Sequence, residues 1–503
     1  MKCGRLAWFW PLLAWLAGCT PADVPPQAAT IRMGLANAPL DLDPRYATDA
    51  SSERVNRLLY QRLVEFDGRG LPVPGVADWQ RLSPTHYHFV LQRPRAHFCN
   101  GAPLTARDVV ATYRFVLDPH NASPQRAPLT LIERVEARND EQIDFFLSRA
   151  DPLFPAYLLV NILPAGLLAS GHAFETGPVG SGSFCFIARP QPGRLLLERR
   201  RDHQMFALIE VKNPTVRVLK LLRGEIDLLQ NDLSPELAKY LKQREEVDVI
   251  TRHGTNFSYL GCNMERGPTA DPRVRRALAL AIDRRAIIDQ VLQGGARPAE
   301  TLFPPEHWAG NPGLEPIRYD PAQARALLRA AGYGPDRPLR LVYKSSSDPF
   351  RIRLATIIQA QLHRVGIEVE LRSYDWGTFF GDIKAGRFQL YGLTWVGLRT
   401  PDSLRYIFAS DSLPPQGANR GRYANPQVDR LLKQAEGQGD LREQAATYRR
   451  IEKILHDDLP YIPLWYEDQL LARRHEIRGY RLRADGSYDG LNQVEWRGRG
   501  TAR

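Results

Sequence analysis

An aromatic ring, a cation and an anion fall close together in Trp395-Val396-Gly397-Leu398-Arg399-Thr400-Pro401-Asp402. These side chains can hold a guest that is part apolar and part charged, and none of them is placed to break its bonds. Trp395 and Leu398 are candidate apolar contacts, Gly397 a further candidate for the binding site, and Arg399 and Asp402 candidate charged contacts. Plainer roles stay open: Asp402 could cap a helix over Ser403 to Phe408, and Trp395 with Leu398 could simply pack. Nucleophile and phosphate motifs are missing, with no G-x-S-x-G elbow, HExxH, P-loop or GxGxxG. Asp457 and Asp458 are adjacent in a helix-like stretch and do not face each other. His86 and His88 have the spacing of one strand face with no third ligand nearby, which reads as an exposed strand. Binding is expected, with no catalysis, no metal and no cofactor.

The elements around this loop read as α/β. Leu339 to Tyr343 is a short apolar strand, and Asp348-Pro349 reads as cap and first position of a helix. Ala355, Ile358, Leu362 and Val365 form its apolar stripe, and Gly366 stops it. A second strand alternates through Ile367, Val369 and Leu371, a second helix covers Trp376 to Lys384, and a third strand covers Phe388 to Thr394. This β-α-β-α-β order predicts a parallel sheet, where ligands collect beyond the carboxyl ends of strands. Trp395 to Asp402 leaves such an end. Elsewhere, Asp271-Pro272 opens a helix expected to run to Gly294-Gly295, and Thr105 with Asp108 makes a capping-box pattern. Ser234-Pro235 and Asn425-Pro426 open two more helices.

The first residues read as an export signal. Lys2 and Arg5 precede a short apolar run, Leu6 to Leu16, and Leu16-Ala17-Gly18-Cys19 ends in cysteine. The run is too short for a membrane span, so residues 1–18 are expected to be cleaved. The string LAGC resembles a bacterial lipobox, which implies a lipid on Cys19. Residues 19–30, rich in Pro and Ala, fit a tether between that anchor and the folded body. Cleavage leaves 485 of 503 residues, enough for two or three domains. The formal charge of +11 comes from 58 Arg and 9 Lys scattered along the chain, with no basic stripe between aromatics. Nucleic acid is therefore not expected as a partner. Cys99, Cys185 and Cys262 are far apart and form no CxxC pair, so one disulfide of unassigned pairing or buried free thiols are both open.

Six strings in order resemble the extracellular solute-binding proteins of family 5, the oligopeptide- and dipeptide-binding components of ABC importers. They are FCNGAPLTARDVV from Phe98, GPVGSGSF from Gly177, LLRGEIDLL from Leu221, DPRVRRALALAIDRRAII from Asp271, YDPAQARALLRAAGY from Tyr319 and DWGTFFGDIKAGRFQLYGLTWVG from Asp375. The resemblance implies a two-lobed periplasmic-binding-protein fold of class II, peptide-binding type, with an extra inserted domain. Lobe I would comprise residues 31–50, 176–262 and 472–503, the insert residues 51–175, and lobe II residues 263–471. Crossings near Leu260 to Asn263 and Leu470 to Arg474 would be hinges. The implied role is a monomeric receptor, lipid-anchored on the periplasmic side of the envelope. It captures a peptide or peptide-like solute and delivers it to a permease and ATPase complex. An envelope sensor or assembly lipoprotein that keeps the fold without transport is the alternative.

The resemblance also marks a departure. Peptide-binding relatives carry an aspartate three residues after the loop tryptophan, paired with the ligand ammonium, and Leu398 stands there. An ammonium buried against leucine is unpaired, at a cost on the order of several kcal/mol. Where dipeptide-binding members hold the ligand carboxylate with Arg, the match places Ser345 beside Lys344. Lys344 could act as a point charge without Arg's bidentate fork. By family order, Gln416 to Tyr423 lies near the cleft mouth, where Asn419 and Arg422 could bond a guest or simply face solvent.

Overall fold

Two long antiparallel strands, Val247–Cys262 and Tyr461–Arg474, run side by side from Val247 opposite Arg474 to Gly261 opposite Tyr461. They are the middle of an eleven-stranded sheet in the computed structural model, which describes residues 30–497. The expected leader, Cys19 and most of the tether lie outside those residues. On one side of the pair stand Leu390–Trp395, Leu339–Ser346 and Ile367–Tyr374; on the other, Leu228–Gln230, Ile31–Leu35, Gln204–Glu210, Arg194–Arg199 and Phe184–Gln191. The eleventh strand, Ala296–Pro298, pairs with Tyr461–Arg474 at Trp465 to Glu467. Leu339–Ser346 is parallel to both Ile367–Tyr374 and Leu390–Trp395, as the β-α-β-α-β pattern requires.

The apolar core changes along the two long strands. Leu260, Cys262, Ile462, Leu464 and Trp465 belong to one cluster, and Phe257, Tyr259, Tyr461 and Tyr466 to a neighbouring one. At the far ends, Leu471 packs with Ile31, Met33 and Phe206, while Val247 and Ala472 pack with Val218 and Leu229. Between these cores the strands carry Arg252 to Asn256 against Glu467 to Gln469, and their register slips between Arg252 and Asn256. Such a slip breaks the ladder and lets the strand bend. The join is a polar neck.

A further core, from Leu63 to Ile162, is separate from these. Its four-stranded antiparallel sheet, ordered Ala77–Ser83, His86–Leu91, Gln142–Leu147, Ile132–Ala137, packs against helix Ala106–Leu117. Asp108 accepts from the Thr105 N–H at 2.7 Å, and Val109, Val110, Tyr113 and Val116 are buried. His86 and His88 differ from the exposed face expected of them: both lie 3.0 Å or less from the buried Asp144 carboxylate, which also pairs with Arg138.

A disulfide joins Cys99 in this unit to Cys185 on the edge strand of the large sheet, closing 86 residues, and Cys262 is free and buried. Chain-entropy arguments for so long a loop give about 4–5 kcal/mol. Replacing both half-cystines with alanine should lower the melting temperature in calorimetry, and an unchanged temperature would mean the tie adds nothing.

The helix opened by Asp271 ends sooner than its periodicity predicts. It covers Pro272–Ala281, then Ile282 is extended. Asp283 caps a new turn by accepting from Ala286 N–H, and the chain continues as a wider turn over Ile287–Val291. Asp283 N–H meanwhile donates to Gln361 Oε1 at 2.9 Å. The restart brings Arg284 inward, where its guanidinium donates to the carbonyls of Ala299, Ile317 and Pro463 and to Glu300.

Helix Leu441–Asp458 buries a carboxylate. Glu452 Oε1 accepts from Thr301 Oγ1 at 3.0 Å and Phe303 N at 3.2 Å, and Oε2 has no partner. Burial pushes the Glu452 pKa up to about 8. The folded state therefore holds this proton more tightly than the unfolded one, and the group's share of stability falls as pH rises from 4.5 to about 8. Glu452→Gln should flatten that fall, gaining on the native protein by about 2–4 kcal/mol at the alkaline end. Parallel stability curves for the two proteins across this range would refute the assignment.

Candidate functional site

Trp395 ends its strand opposite Phe257, and Gly397, with φ +74°, turns the chain out of the sheet. A side chain rarely adopts that φ, so glycine lets the turn follow directly on the tryptophan. The Arg420 guanidinium lies over the Trp395 ring, 4.6 Å from its centroid, and the buried Trp395 Nε1 has no partner. Arg420 Nη1 also donates to Tyr259 OH at 3.2 Å, and Tyr259 stacks on Tyr461 at 3.9 Å. Leu398 is partly buried against the same aromatic cluster. The loop therefore presents an aromatic and aliphatic wall backed by a cation.

Arg399 is held by its backbone. His307 Nε2 donates to Arg399 O at 3.0 Å, while His307 Nδ1 accepts from Ala309 N–H. Burial pushes the His307 pKa down to about 4, which keeps the ring neutral and able to play both parts at neutral pH. The Arg399 side chain reaches toward Asp485, 3.7 Å away, from the segment beyond the second long strand. Arg57, Arg62 and Glu53 stand in the same charged group. Arg57 pairs there with Glu65 and Asp489, each at 2.8 Å.

Asp402 occupies the first turn of helix Asp402–Phe408, and Pro401 takes the cap position without a side-chain bond. The capping role is thus not the one it plays. Its Oδ1 is buried without a partner. Burial pushes the Asp402 pKa up to about 6, and the Asp151 charge adds to the push. Both carboxylates line a cavity of about 530 Å³ between residues 128–157 and 401–448, with Tyr157, Tyr448, Arg405 and Glu436 among its walls.

Three sequence candidates are already engaged. Lys344 Nζ donates to Asp382 Oδ2 at 2.6 Å, an ion pair in which Asp382 also meets Arg387, so its charge is not free for a guest. Asn419 is 2 % exposed and binds its own loop, donating to Ala409 O and Tyr423 O and accepting from Tyr423 N–H. Arg422, with φ +60°, donates to Lys384 O at 3.4 Å beside Gly386. Polar residue types in a Gly-bearing loop pointed to a guest, whereas the tight turn needed those groups for itself. Ser345 is buried and lines a small void of about 20 Å³ with Tyr343, Ser258 and Trp465. The loop thus unites Trp395, Gly397, Leu398, Arg399 and Asp402 at one end of the sheet, and the structure adds Arg420, Arg62, Glu53 and Asp485. Arg420 lay within the polar Gln416 to Tyr423 run, but nothing local distinguished it.

Comparison with known proteins identifies the family and the fold. Residues 72–413 match the middle region of the bacterial extracellular solute-binding proteins, family 5. Di/tripeptide-binding protein 2 of Pseudomonas aeruginosa is 28 % identical over 506 aligned positions, covering 93 % of this chain and 95 % of the relative. The periplasmic murein peptide-binding protein MppA of Escherichia coli is 28 % identical over 485 positions, covering 88 % and 89 %. Among solved structures, the substrate-binding protein CtaP of Listeria monocytogenes superposes with a TM-score of 0.84 at 22 % identity, covering 93 % of this chain and 99 % of the other. The likeness in shape is to the fold alone.

Proposed function

The chain belongs to the bacterial extracellular solute-binding proteins, family 5, and on that premise we propose that it is the peptide-capturing receptor of an ABC importer. It takes a peptide or peptide-like solute between two lobes and delivers it to the membrane permease and ATPase.

The observation that carries this reading is the polar, register-slipped neck joining two separate apolar cores, with the Trp395 to Asp402 loop beside it. A two-strand neck without a shared core can bend at small cost, and bending opens or shuts the space between the cores. On this reading the hinge lies at Arg252 to Asn256 and Glu467 to Gln469, a few residues inside the crossings inferred from family likeness. Residues 63–162 form the inserted domain, which faces lobe II across the cavity holding Asp151 and Asp402. Val55, Leu58, Leu59, Tyr60, Leu163 and Phe174, placed in the insert by family likeness, pack instead with the lobe I core. The role needs no bond-breaking step. We place the protein on the periplasmic side, anchored through a lipid on Cys19 and acting as a monomer.

The test is a thermal-shift panel on the protein without its leader. It uses tri- and tetra-alanine with free or acetylated N-termini, alongside native mass spectrometry of what co-purifies. Binding to the folded state raises the melting temperature by mass action. At least one peptide should do so, and no shift across the panel with no co-purified solute would reject the reading.

A further inference from the structure

We infer that the solute presents a carboxylate to Arg399 and Arg62, so that the pole which holds an ammonium in peptide-binding relatives holds an anion here. This rests on the peptide-capture reading and specifies its chemistry.

The Arg62 side chain is 1 % exposed. Its Nε donates to Asn161 Oδ1 at 3.0 Å and its Nη2 to Glu53 Oε1 at 2.7 Å, yet Nη1 is buried with no partner. Among the described residues Arg399 shows a similar deficit. Its Nε is buried and unpartnered, and the Asp485 carboxylate, at 3.7 Å, is beyond hydrogen-bond range. Asp485 is itself engaged, accepting from Ser487 N–H at 3.0 Å. Buried donors on a guanidinium are normally satisfied, and two empty ones on arginines close enough to repel each other leave a place for an acceptor that is not part of the protein.

The two unsatisfied guanidinium groups indicate the class of acceptor. The groups that act on Arg399 are the cations Arg62 and Arg57 and the anions Asp485 and Glu53. Arg57 is paired besides with Glu65 and Asp489, so the group carries no surplus cation, and what Arg399 and Arg62 lack is an acceptor for their Nε and Nη1 donors. Burial, and after it the nearby Arg62, pull the Arg399 pKa down. A carboxylate supplies one negative charge and two oxygens matched to the guanidinium fork. Of the other cations near the loop, Lys344 is paired with Asp382, and Arg420 lies on the Trp395 ring and donates to Tyr259 OH. Leu398 fits the same polarity, since a carboxylate at its position would pair with Arg399 and compete with the guest. Arg399 comes from the loop after one core and Arg62 from the segment entering another, so a carboxylate between them would draw the two together.

The experiment is isothermal titration of the wild-type protein with tri- and tetra-alanine, each free or N-acetylated and each as the C-terminal acid or amide. Amidation should weaken binding at least about tenfold, the usual scale for losing one partner of a buried charge pair. In Arg399→Gln the acid should lose most of that advantage, and Arg399→Lys should keep part of it. Acid and amide binding within about threefold of each other in the wild type would overturn the carboxylate assignment and leave peptide capture standing. Failure of every peptide to bind would overturn both. The acid and amide comparison needs only the wild-type protein, so a variant that folds poorly does not blunt the test.

Discussion

Replacing Trp395 with alanine is expected to weaken peptide binding by about a hundredfold, or roughly 2–4 kcal/mol, the range for a buried aromatic anchor at the centre of an interface. The unliganded protein should melt close to its original temperature, because Trp395 is only partly buried at the edge of its core. Truncation removes the wall of the loop and leaves Arg420 without the ring it lies on, 4.6 Å from the centroid. Trp395→Phe separates the two contributions. It keeps an aromatic face but removes Nε1, whose buried N–H has no partner within the protein. An intermediate loss in calorimetry would show the solute using both the ring and the N–H. Less than about a threefold change for the alanine variant would remove Trp395 from the site.

Arg284→Met is expected to destabilise the protein by about 3–5 kcal/mol, the scale for breaking a buried charge network from one side. For a unit of the size of residues 263–471 this corresponds to a fall of roughly 10 °C in melting temperature. Arg284 is the hub that gathers the carbonyls of Ala299, Ile317 and Pro463 and the Glu300 carboxylate. Methionine matches its stem but donates nothing, so three carbonyls and a carboxylate lose their donor together. Scanning calorimetry checks it, and a loss below about 1 kcal/mol would show that Glu300 and the carbonyls find other partners. Peptide affinity, measured well below the transition, should change little.

What could be read before the structure was local. The helix Pro349–His363 announces itself through Asp348-Pro349 at one end and Gly366 at the other, and the three strands around it follow by alternation. That reading placed the Trp395 to Asp402 loop at a strand end without knowledge of the neighbouring strands. The early end of the helix after Asp271 was hidden because apolar spacing continues through Ile287 and Ile288, while the break is set by Asp283 capping a new turn. The charged group around Arg399 was illegible for a different reason. Glu53, Arg57 and Arg62 stand more than 330 positions before Arg399, and Asp485 lies 86 after it, so no spacing rule connects them. The pairing of Cys99 with Cys185 is likewise a product of topology, since either thiol could have met Cys262 as far as spacing goes. Lys344 and Asn419 are suitable residue types at plausible places, but Asp382 and the tight turn around Tyr423 have prior claims on them.

Small-angle X-ray scattering with and without a bound peptide addresses the clamp itself. A polar neck between separate cores predicts that saturating peptide shrinks the radius of gyration and narrows the distance distribution. Superimposable profiles for free protein and for protein fully occupied by a peptide that calorimetry shows to bind would mean that the two halves do not move, and the account would fail.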